Sequence, residues 1–328
     1  EGAHLVMLER DPKTPLLTRA DIPTATGLID PSSVFNPGAV HFRGRDYLML
    51  RVQARSRATS LVLASSTDGR SFKVAEACVT FEGIESEART IHHIYDPRLT
   101  AIGNQVVVIF AADMDDACRL GVAVTDDMQR FRFLGFSEDA SRNGVLFPEQ
   151  IGGRYLRLER PNGTTTAGGV ATGDAIRLSE STDLVHWSLV GAPVLEGRWR
   201  YWDELIGSGP PPVKTRRGWL HIYHGVATHF ASSNIYQAGA ALLDLQDPSR
   251  VLARTWDNIL EPREVYELTG QVPNVVFPSG WLVRDLDADG FADEASEVLV
   301  YYGAADTCVA RCRTTVGALL EACARVQQ

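Results

Sequence analysis

The stretch IYDPRLT, residues 94–100, holds a single carboxylate, Asp96, between two apolar runs. A carboxylic acid in such a setting could act as a general acid that donates a proton to a leaving group. Pro97 disfavours helical backbone at the preceding residue, which predicts that Asp96 is extended and that its side chain is aimed in one direction. No second acid stands beside it. Taken alone, these residues leave two interpretations open: a catalytic acid, or a turn with a local ion pair between Asp96 and Arg98.

The composition is that of an ordinary globular chain of 328 residues, 45% hydrophobic and 22% charged, with a formal net charge of −9. This charge argues against nucleic acid or an anionic membrane as the main partner and leaves a neutral ligand such as a sugar open. The apolar run 106–112 has the length of a buried strand, not of a membrane span. The 5 cysteines show no zinc-ligand spacing, and the N-terminus lacks the apolar region of a signal peptide, so we expect a cytoplasmic protein.

Short apolar runs punctuated by Gly, Pro and Asp recur along the chain and predict an all-β protein. Similar Ser/Thr-rich turns, each followed by a new strand, centre on Asp68, Asp126, Asp183 and Asp247. Their spacing of about sixty residues fits a four-stranded blade with generous loops, and the chain has room for about five such blades. We therefore expect a single domain, residues 1–328, folded as a five-bladed β-propeller, with a β-sandwich as the alternative. The apolar spacing of 314–328 predicts a short closing helix.

A propeller places its site at one end of the central channel, so its functional residues should be spread along the sequence. The chain has distinctive strings at such intervals: FNPGAV (35–40), IYDPRLT, VLFPEQIGGRYLRLERP (145–161), YWDELIGSGPPP (201–212), IYHG (222–225), NILEPREVYE (258–267), NVVFPSG (274–280) and YYGAAD (301–306). Together and in this order they resemble glycoside hydrolase family 130, the β-mannoside phosphorylases and related β-mannosidases. The resemblance implies a five-bladed propeller that cleaves a terminal β-mannoside with inversion.

On this resemblance Asp96 matches the family's catalytic acid. Arg142 and Arg160 match positions where phosphorylases of the family have basic residues, and His224 is a third donor for phosphate. The planar fork and permanent charge of arginine suit phosphate, although each arginine alone could equally be structural. A phosphorylase needs no second carboxylate, because phosphate is already an anionic nucleophile. The absence of a partner acid beside Asp96 would then be explained.

The resemblance also implies which residues bind the sugar. Those at matching positions are Asn36, Arg51, Tyr95 and Asp306. Trp202 could stack on a sugar face, with a core tryptophan as the alternative. We place its neighbour Asp203 with the substrate contacts as well.

Two departures from the family pattern weigh against phosphorolysis. Leu205, preceded by Glu204, stands where phosphorylases commonly have Lys or Arg, and Glu159 stands where histidine is frequent. An acid here would repel phosphate but could act as a base on water, giving an inverting β-mannosidase with Glu204 or Asp203 as the base. The two retained arginines favour phosphorolysis to α-mannose 1-phosphate. The hydrolase is the runner-up, and a non-catalytic sugar-binding propeller is a third hypothesis.

An acidic segment, DLDADGFADEAS (285–296), lies outside the family pattern. Asp285, Asp287 and Asp289 occupy positions 1, 3 and 5 of a calcium loop of the EF-hand type. Ser296 replaces the bidentate glutamate at position 12, and no flanking helices are predicted, so we favour a solvated hairpin tip over calcium. We therefore expect no metal or cofactor, inorganic phosphate as co-substrate, and a β-mannoside oligosaccharide as substrate.

Overall fold

Five sheets, mostly antiparallel, follow one another along the chain as the blades of a β-propeller. The computed structural model describes residues 8–165, 171–229 and 233–325. The N-terminal strand is β1 (Glu9–Arg10). Blade 1 consists of β2 (Ser33–Phe42), β3 (Arg45–Gln53), β4 (Thr59–Ser66) and β5 (Lys73–Cys78). Blade 2 consists of β6 (Phe81–Glu82), β7 (Ile91–Ile102), β8 (Gln105–Met114), β9 (Cys118–Thr125) and β10 (Phe131–Phe136).

The remaining blades continue the same pattern. Blade 3 consists of β11 (Ser141–Leu146), β12 (Tyr155–Pro161), the small hairpin β13 (Thr164–Thr165) and β14 (Ala171–Thr172), β15 (Ala175–Ser181) and β16 (Ser188–Glu196). Blade 4 consists of β17 (Leu205–Ser208), β18 (Val213–Thr215), β19 (Gly218–Ala227), β20 (Ile235–Leu243) and β21 (Val251–Arg254). Blade 5 consists of β22 (Val276–Val283), β24 (Glu297–Ala304) and β25 (Cys308–Thr315), while β23 (Phe291–Ala292) pairs with β18.

One strand of each blade lies at the channel, and the other strands of the blade step outward from it. Strands β22, β2, β7, β11 and β17 are next to one another in this order. The strand that pairs with each channel strand is largely buried, as in β8, where Val106, Val108 and Phe110 are fully buried. Truncating such a phenylalanine to alanine costs about 3–5 kcal/mol, so these strands hold the channel walls firmly in place.

The N-terminal strand closes the ring. β1 pairs antiparallel with β25, so the start of the chain completes the last blade. Arg10 of β1 also donates to the buried carboxylate of Glu267 at 2.8 Å, within the short helix α1 (Val265–Leu268). Because both carboxylate oxygens of Glu267 accept from this guanidinium, the closure has a fixed geometry.

The repeated turns are real, but two of their central residues were predicted wrongly. In each turn one carboxylate accepts hydrogen bonds from the backbone N–H groups two and three residues further on; these carboxylates belong to Asp68, Asp127, Asp183 and Asp244. The predicted Asp126 and Asp247 are therefore the wrong aspartates of their turns. Where two acids stand close together, the sequence does not show which one reaches back to the backbone.

The C-terminal helix is confirmed as α2 (Val316–Ala324), with Thr315 accepting from the N–H of Ala318; residues 326–328 lie outside the described residues. In the acidic segment, Asp287 accepts from the backbone N–H of Asp289 and Phe291 and pairs with Arg216 at 2.6 Å. The part of the chain that the structure describes contains no cluster of three metal-ligating side chains. It also has no helix with the length and apolar character needed to cross a bilayer.

Candidate active site

One end of the channel opens into a polar cavity of about 660 Å³, whose lining comes from all five blades. Eight residues that the sequence marked as functional meet in this cavity, although they are far apart in the chain. They are Asn36, Arg51, Tyr95, Asp96, Arg142, Arg160, His224 and Asp306. The inner strands of blades 1 to 3 supply much of this set, so the propeller itself gathers the side chains.

Bulges in these inner strands point the polar side chains into the cavity. The pairing of β2, β7 and β11 with their neighbours shifts register at Asn36, Asp96 and Asn143, whose φ angles are 45°, 50° and 51°. Asn and Asp tolerate this left-handed region better than other residues, and a bulge re-aims the side chain. The prediction that Asp96 is extended is therefore wrong, because the bulge overrides the preference that Pro97 imposes on its predecessor.

Asp96 lies between two donors from blade 1. Its Oδ1 accepts from Asn36 Nδ2 at 3.0 Å and from Arg51 Nη1 at 2.9 Å. Burial alone would raise the pKa of Asp96, but the positive charges of Arg51 and Arg98, with these two hydrogen bonds, hold it below its usual value. Asp96 is therefore ionised at neutral pH when no ligand is bound.

Arg51 is fixed by two rings as well as by Asp96. Its guanidinium lies 4.5 Å from the ring centre of Phe35 and 4.6 Å from that of Tyr95. Asp306 faces the same guanidinium from blade 5, yet burial raises its pKa to about 6, with the charge of Asp96 adding to the effect. Arg51 thus stands between two carboxylates of unequal acidity, and only Asp96 forms a direct ion pair with it among the described residues.

Two arginines form the opposite side of the cavity. Arg142 and Arg160 are direct partners across β11 and β12, so both side chains project from the same face of the sheet. Arg160 is 9% exposed and has no carboxylate within ion-pair distance in the described ranges, while Arg142 approaches Asp113 at 3.4 Å. Burial and the charge of Arg142 lower the pKa of Arg160. Two like charges in this arrangement form a site for an anion.

His224 borders the arginines as a neutral donor. Burial, followed by the charges of Arg160 and Arg98, lowers its pKa well below the ordinary value, so His224 supplies an N–H group but no charge. A Cβ atom at Gly207 would lie 2.4 Å from His224 Cε1 and 2.6 Å from Asn143 Oδ1. The glycine of the IGSGPPP string is therefore needed to let these two side chains meet.

Tyr95 is tied to the arginine side of the cavity. Its hydroxyl donates to Asp113 Oδ1 at 2.7 Å, and the same oxygen accepts from Arg142 at 3.4 Å. Burial raises the pKa of Tyr95 far above its ordinary range, so the hydroxyl keeps its proton. Asp113 consequently orients both a predicted sugar contact and a predicted phosphate ligand.

Trp202 and Asp203 do not line the cavity, and the prediction that they contact substrate has no support in their positions. Asp203 is fully buried, with its carboxylate held by Arg198 and Arg254 at 2.7 Å each. Trp202 stacks on Tyr223 with 5.7 Å between the ring centres. Both side chains therefore pack into blade 4, where they stabilise the fold.

The acids that weighed against phosphate also lie outside the cavity lining. Glu159, next to Arg160, points to the other face of β12 because side chains alternate along a strand, and it pairs there with Arg157. Glu204 accepts a hydrogen bond from Thr228. Neither acid can repel phosphate at close range, and the proposed base role of Glu204 or Asp203 is not supported.

Several cavity residues were missed by sequence reasoning: Asp113, Asn143, Tyr236 and Phe277. Asp113 and Tyr236 belong to second and third strands of their blades, where no string stood out. Asn143 follows Arg142 in a short RNG segment that matched no quoted string. The φ angle of Asn143 and the bulge that contains it were the missing signals, and both are visible only once the strands are paired.

Comparison with known proteins agrees with this geometry. A family model described as beta-1,4-mannooligosaccharide phosphorylase matches residues 7–325. The chain is 32% identical to the beta-1,4-mannooligosaccharide phosphorylase of Ruminococcus albus, with 92% of this chain and 86% of that protein covered. It is 30% identical to the 1,2-beta-oligomannan phosphorylase of a Thermoanaerobacter species, with 93% and 96% covered.

The fold also matches a solved structure closely. The structure of the beta-1,2-mannobiose phosphorylase from Listeria innocua, in complex with beta-1,2-mannobiose, superposes with a TM-score of 0.80 and 26% identity. The match covers 97% of this chain and 99% of that one. The whole propeller, including all the inner strands that carry the cavity residues, is therefore shared.

Proposed function

Because the chain belongs to glycoside hydrolase family 130, we propose that it cleaves a terminal β-mannosidic bond with inorganic phosphate and releases α-mannose 1-phosphate. The observation that carries this proposal is the facing pair Arg142 and Arg160. Both guanidinium groups enter one cavity with Asp96, and the described residues give Arg160 no carboxylate to neutralise it. Phosphate supplies the missing negative charge and is itself the nucleophile.

The proposed reaction is a single displacement with inversion. Phosphate held by Arg142, Arg160 and the neutral His224 attacks the anomeric carbon from the blade 3 and 4 side of the cavity. The leaving oxygen departs on the opposite side and takes a proton from Asp96, directly or by relay. Asn36, Arg51 and Asp306 bind the hydroxyl groups of the mannosyl residue between these two sides.

Asp96 has a low pKa in the ligand-free protein, whereas a general acid must carry a proton. Phosphate, the second substrate, removes this conflict. Bound phosphate brings negative charge into the cavity that contains Asp96. The charges of Arg160, Asp306 and Asp96 all act on the Tyr236 hydroxyl, so the phosphate site and the two carboxylates lie within electrostatic range of one another. A nearby like charge raises the pKa of a carboxyl group. Phosphate binding therefore favours the protonated form of Asp96, which is the form that an acid catalyst requires.

The substrate class is a β-mannoside with a mannosyl residue at its non-reducing end. The named relatives act on β-1,4-linked and β-1,2-linked mannosides, so both linkages enter the test. The purified protein would be incubated with β-1,4- and β-1,2-mannobiose in phosphate buffer, and the products followed by ³¹P and ¹H NMR. An α-configured mannose 1-phosphate signal supports the proposal, and a β-configured product or free mannose alone contradicts it.

A further inference from the structure

A buried arginine lies beneath the active-site cavity. Arg98 is 1% exposed and lines neither this cavity nor a second cavity of about 270 Å³ near the other ends of β2 and β7. Its guanidinium forms no ion pair within the described part of the chain; its hydrogen-bond partners there are backbone carbonyls. A buried charge without a paired counter-ion costs several kcal/mol, so its surroundings should reveal what it does.

The side chain of Arg98 crosses the channel. Nε donates to the carbonyl of Gly209 at 2.7 Å, just after β17 in blade 4. Nη1 donates to the carbonyl of Asp96 at 3.1 Å, within the bulge of β7 in blade 2. The ring of Phe277, on β22 in blade 5, lies 5.5 Å from the guanidinium carbon. One side chain thus ties the backbone of Asp96 to the opposite wall of the channel.

The same guanidinium is linked to His224 through the ring of Phe277. Phe277 packs on the ring of His224 with 4.6 Å between the ring centres, so Arg98 lies beneath His224 as well as beside Asp96. We propose that Arg98 is a positioning residue of the reaction, which fixes the bulge that presents Asp96 and adds a buried positive charge next to Asp96. This inference rests on the proposed function, because it requires Asp96 to be the acid.

Three other charged or titratable groups face Asp96, and the effect of Arg98 on the pKa of Asp96 comes in addition to theirs. Arg51 contacts the carboxylate from β3, Asp306 faces it from the turn between β24 and β25, and Tyr236 faces it from β20. Arg98 lowers the pKa of Asp96 from the side away from solvent, where salt cannot screen its charge. Removing that charge should raise the pKa of Asp96 while leaving the contact with Arg51 in place.

The test compares Arg98→Met, Arg98→Gln and Arg98→Lys with the unaltered protein in phosphorolysis between about pH 5 and pH 9. An acid catalyst loses activity when it is deprotonated, so at saturating phosphate and mannoside the alkaline limb of kcat reports the pKa of Asp96 in the substrate complex. Phosphate titrates identically in every assay and cancels in the comparison. We expect the limb to move up by about one pH unit in the Met and Gln variants and to stay in place in the Lys variant.

The backbone clamp should also be measurable, because lysine keeps the charge but cannot bridge the same carbonyl groups. We expect kcat to fall about tenfold or more in all three variants. Arg132, an exposed arginine of β10, provides the control, and Arg132→Met should change neither kcat nor the limb. Melting temperatures measured in parallel establish which variants are folded.

The outcomes separate the two proposals. An unmoved limb in a folded Met or Gln variant contradicts the positioning role, and so does a failure of all three variants to fold, which would make Arg98 purely structural. If the Met variant alone fails to fold, the Gln variant gives the decision. Absence of turnover by the unaltered protein would contradict the proposed function instead.

Discussion

Arg142 and Arg160 are direct partners across β11 and β12, and both side chains enter the active-site cavity. Like charges directly opposite one another destabilise a sheet, and burial of Arg160 adds to that cost. The arrangement becomes favourable when an anion lies between them. Strand register, which is a property of the fold, therefore creates the phosphate site.

Replacing either arginine of this pair should weaken phosphate binding. Each charge-assisted interaction is worth about 1.5–3 kcal/mol, so we expect Arg142→Gln and Arg160→Gln each to raise the KM for phosphate by about 10- to 100-fold. The KM for the mannoside should change much less. Arg132→Gln is the matched control. A phosphate KM that stays unchanged in both variants would show that the anion binds elsewhere.

Replacing Asp96 should separate chemistry from binding. We expect Asp96→Asn to lower kcat by about 10²- to 10⁴-fold, because the leaving oxygen loses its proton donor. Phosphate should bind the variant at least as tightly as it binds the unaltered protein, since a nearby like charge has been removed. Turnover and calorimetric titration with phosphate measure these two effects. Near-normal turnover in a folded variant would refute the assignment of Asp96.

Asp306 should make stability depend on pH. Its pKa of about 6 lies above the ordinary value of 3.8, so the folded protein binds this proton more tightly than the unfolded chain does. The stability that the proton confers is present below about pH 4 and is lost as the pH rises through about 6.

Asp306→Asn removes this titration. We therefore expect the variant to unfold at a higher temperature than the unaltered protein at pH 7.5, by roughly 1–3 kcal/mol in the free energy of unfolding, and at a similar temperature at pH 4. Its activity should fall, because a sugar contact is lost. Scanning calorimetry at both pH values gives the answer, and an equal difference at the two pH values would contradict it.

Asp203 and Glu204, adjacent in sequence, should behave oppositely. Asp203→Asn breaks buried pairs with Arg198 and Arg254 and should cost about 3–5 kcal/mol in the free energy of unfolding. Glu204→Gln should leave both stability and phosphorolysis unchanged. Chemical denaturation and initial rates test the two variants side by side. A tenfold or greater loss of activity in folded Glu204→Gln would bring back the hydrolase hypothesis.

The fold was largely predictable from local patterns. The Asp turns recur because blades 1 to 4 each have the same backbone cap between their two outer strands. The apolar runs recur because each blade has a largely buried strand next to its channel strand. The choice of Asp126 over Asp127 was wrong because the two residues are adjacent and identical in type. The sequence does not show which of them accepts the backbone hydrogen bonds of the turn.

The site residues were predictable only where they stand in or beside one of the distinctive sequence strings. Asp96, Arg142 and Arg160 stand in or next to such strings and meet in the cavity. Trp202 and Asp203 also stand in such a string, yet both pack into blade 4 and do not line the cavity. The bulge at Asp96 could not be foreseen either, because it depends on pairing between β7 and β8 and not on Pro97 alone. Arg98 gained its interpretation only when its partners across the channel were known.

The most direct test of the central claim is the rate of mannoside cleavage as a function of phosphate concentration. Purified protein would be given β-1,4- or β-1,2-mannobiose in a phosphate-free buffer and then in increasing phosphate, with mannose and mannose 1-phosphate measured separately. We expect negligible cleavage without phosphate, saturation as phosphate rises, and one α-mannose 1-phosphate for each bond cleaved. Cleavage at the same rate without phosphate, with free mannose as the only sugar product, would contradict the account.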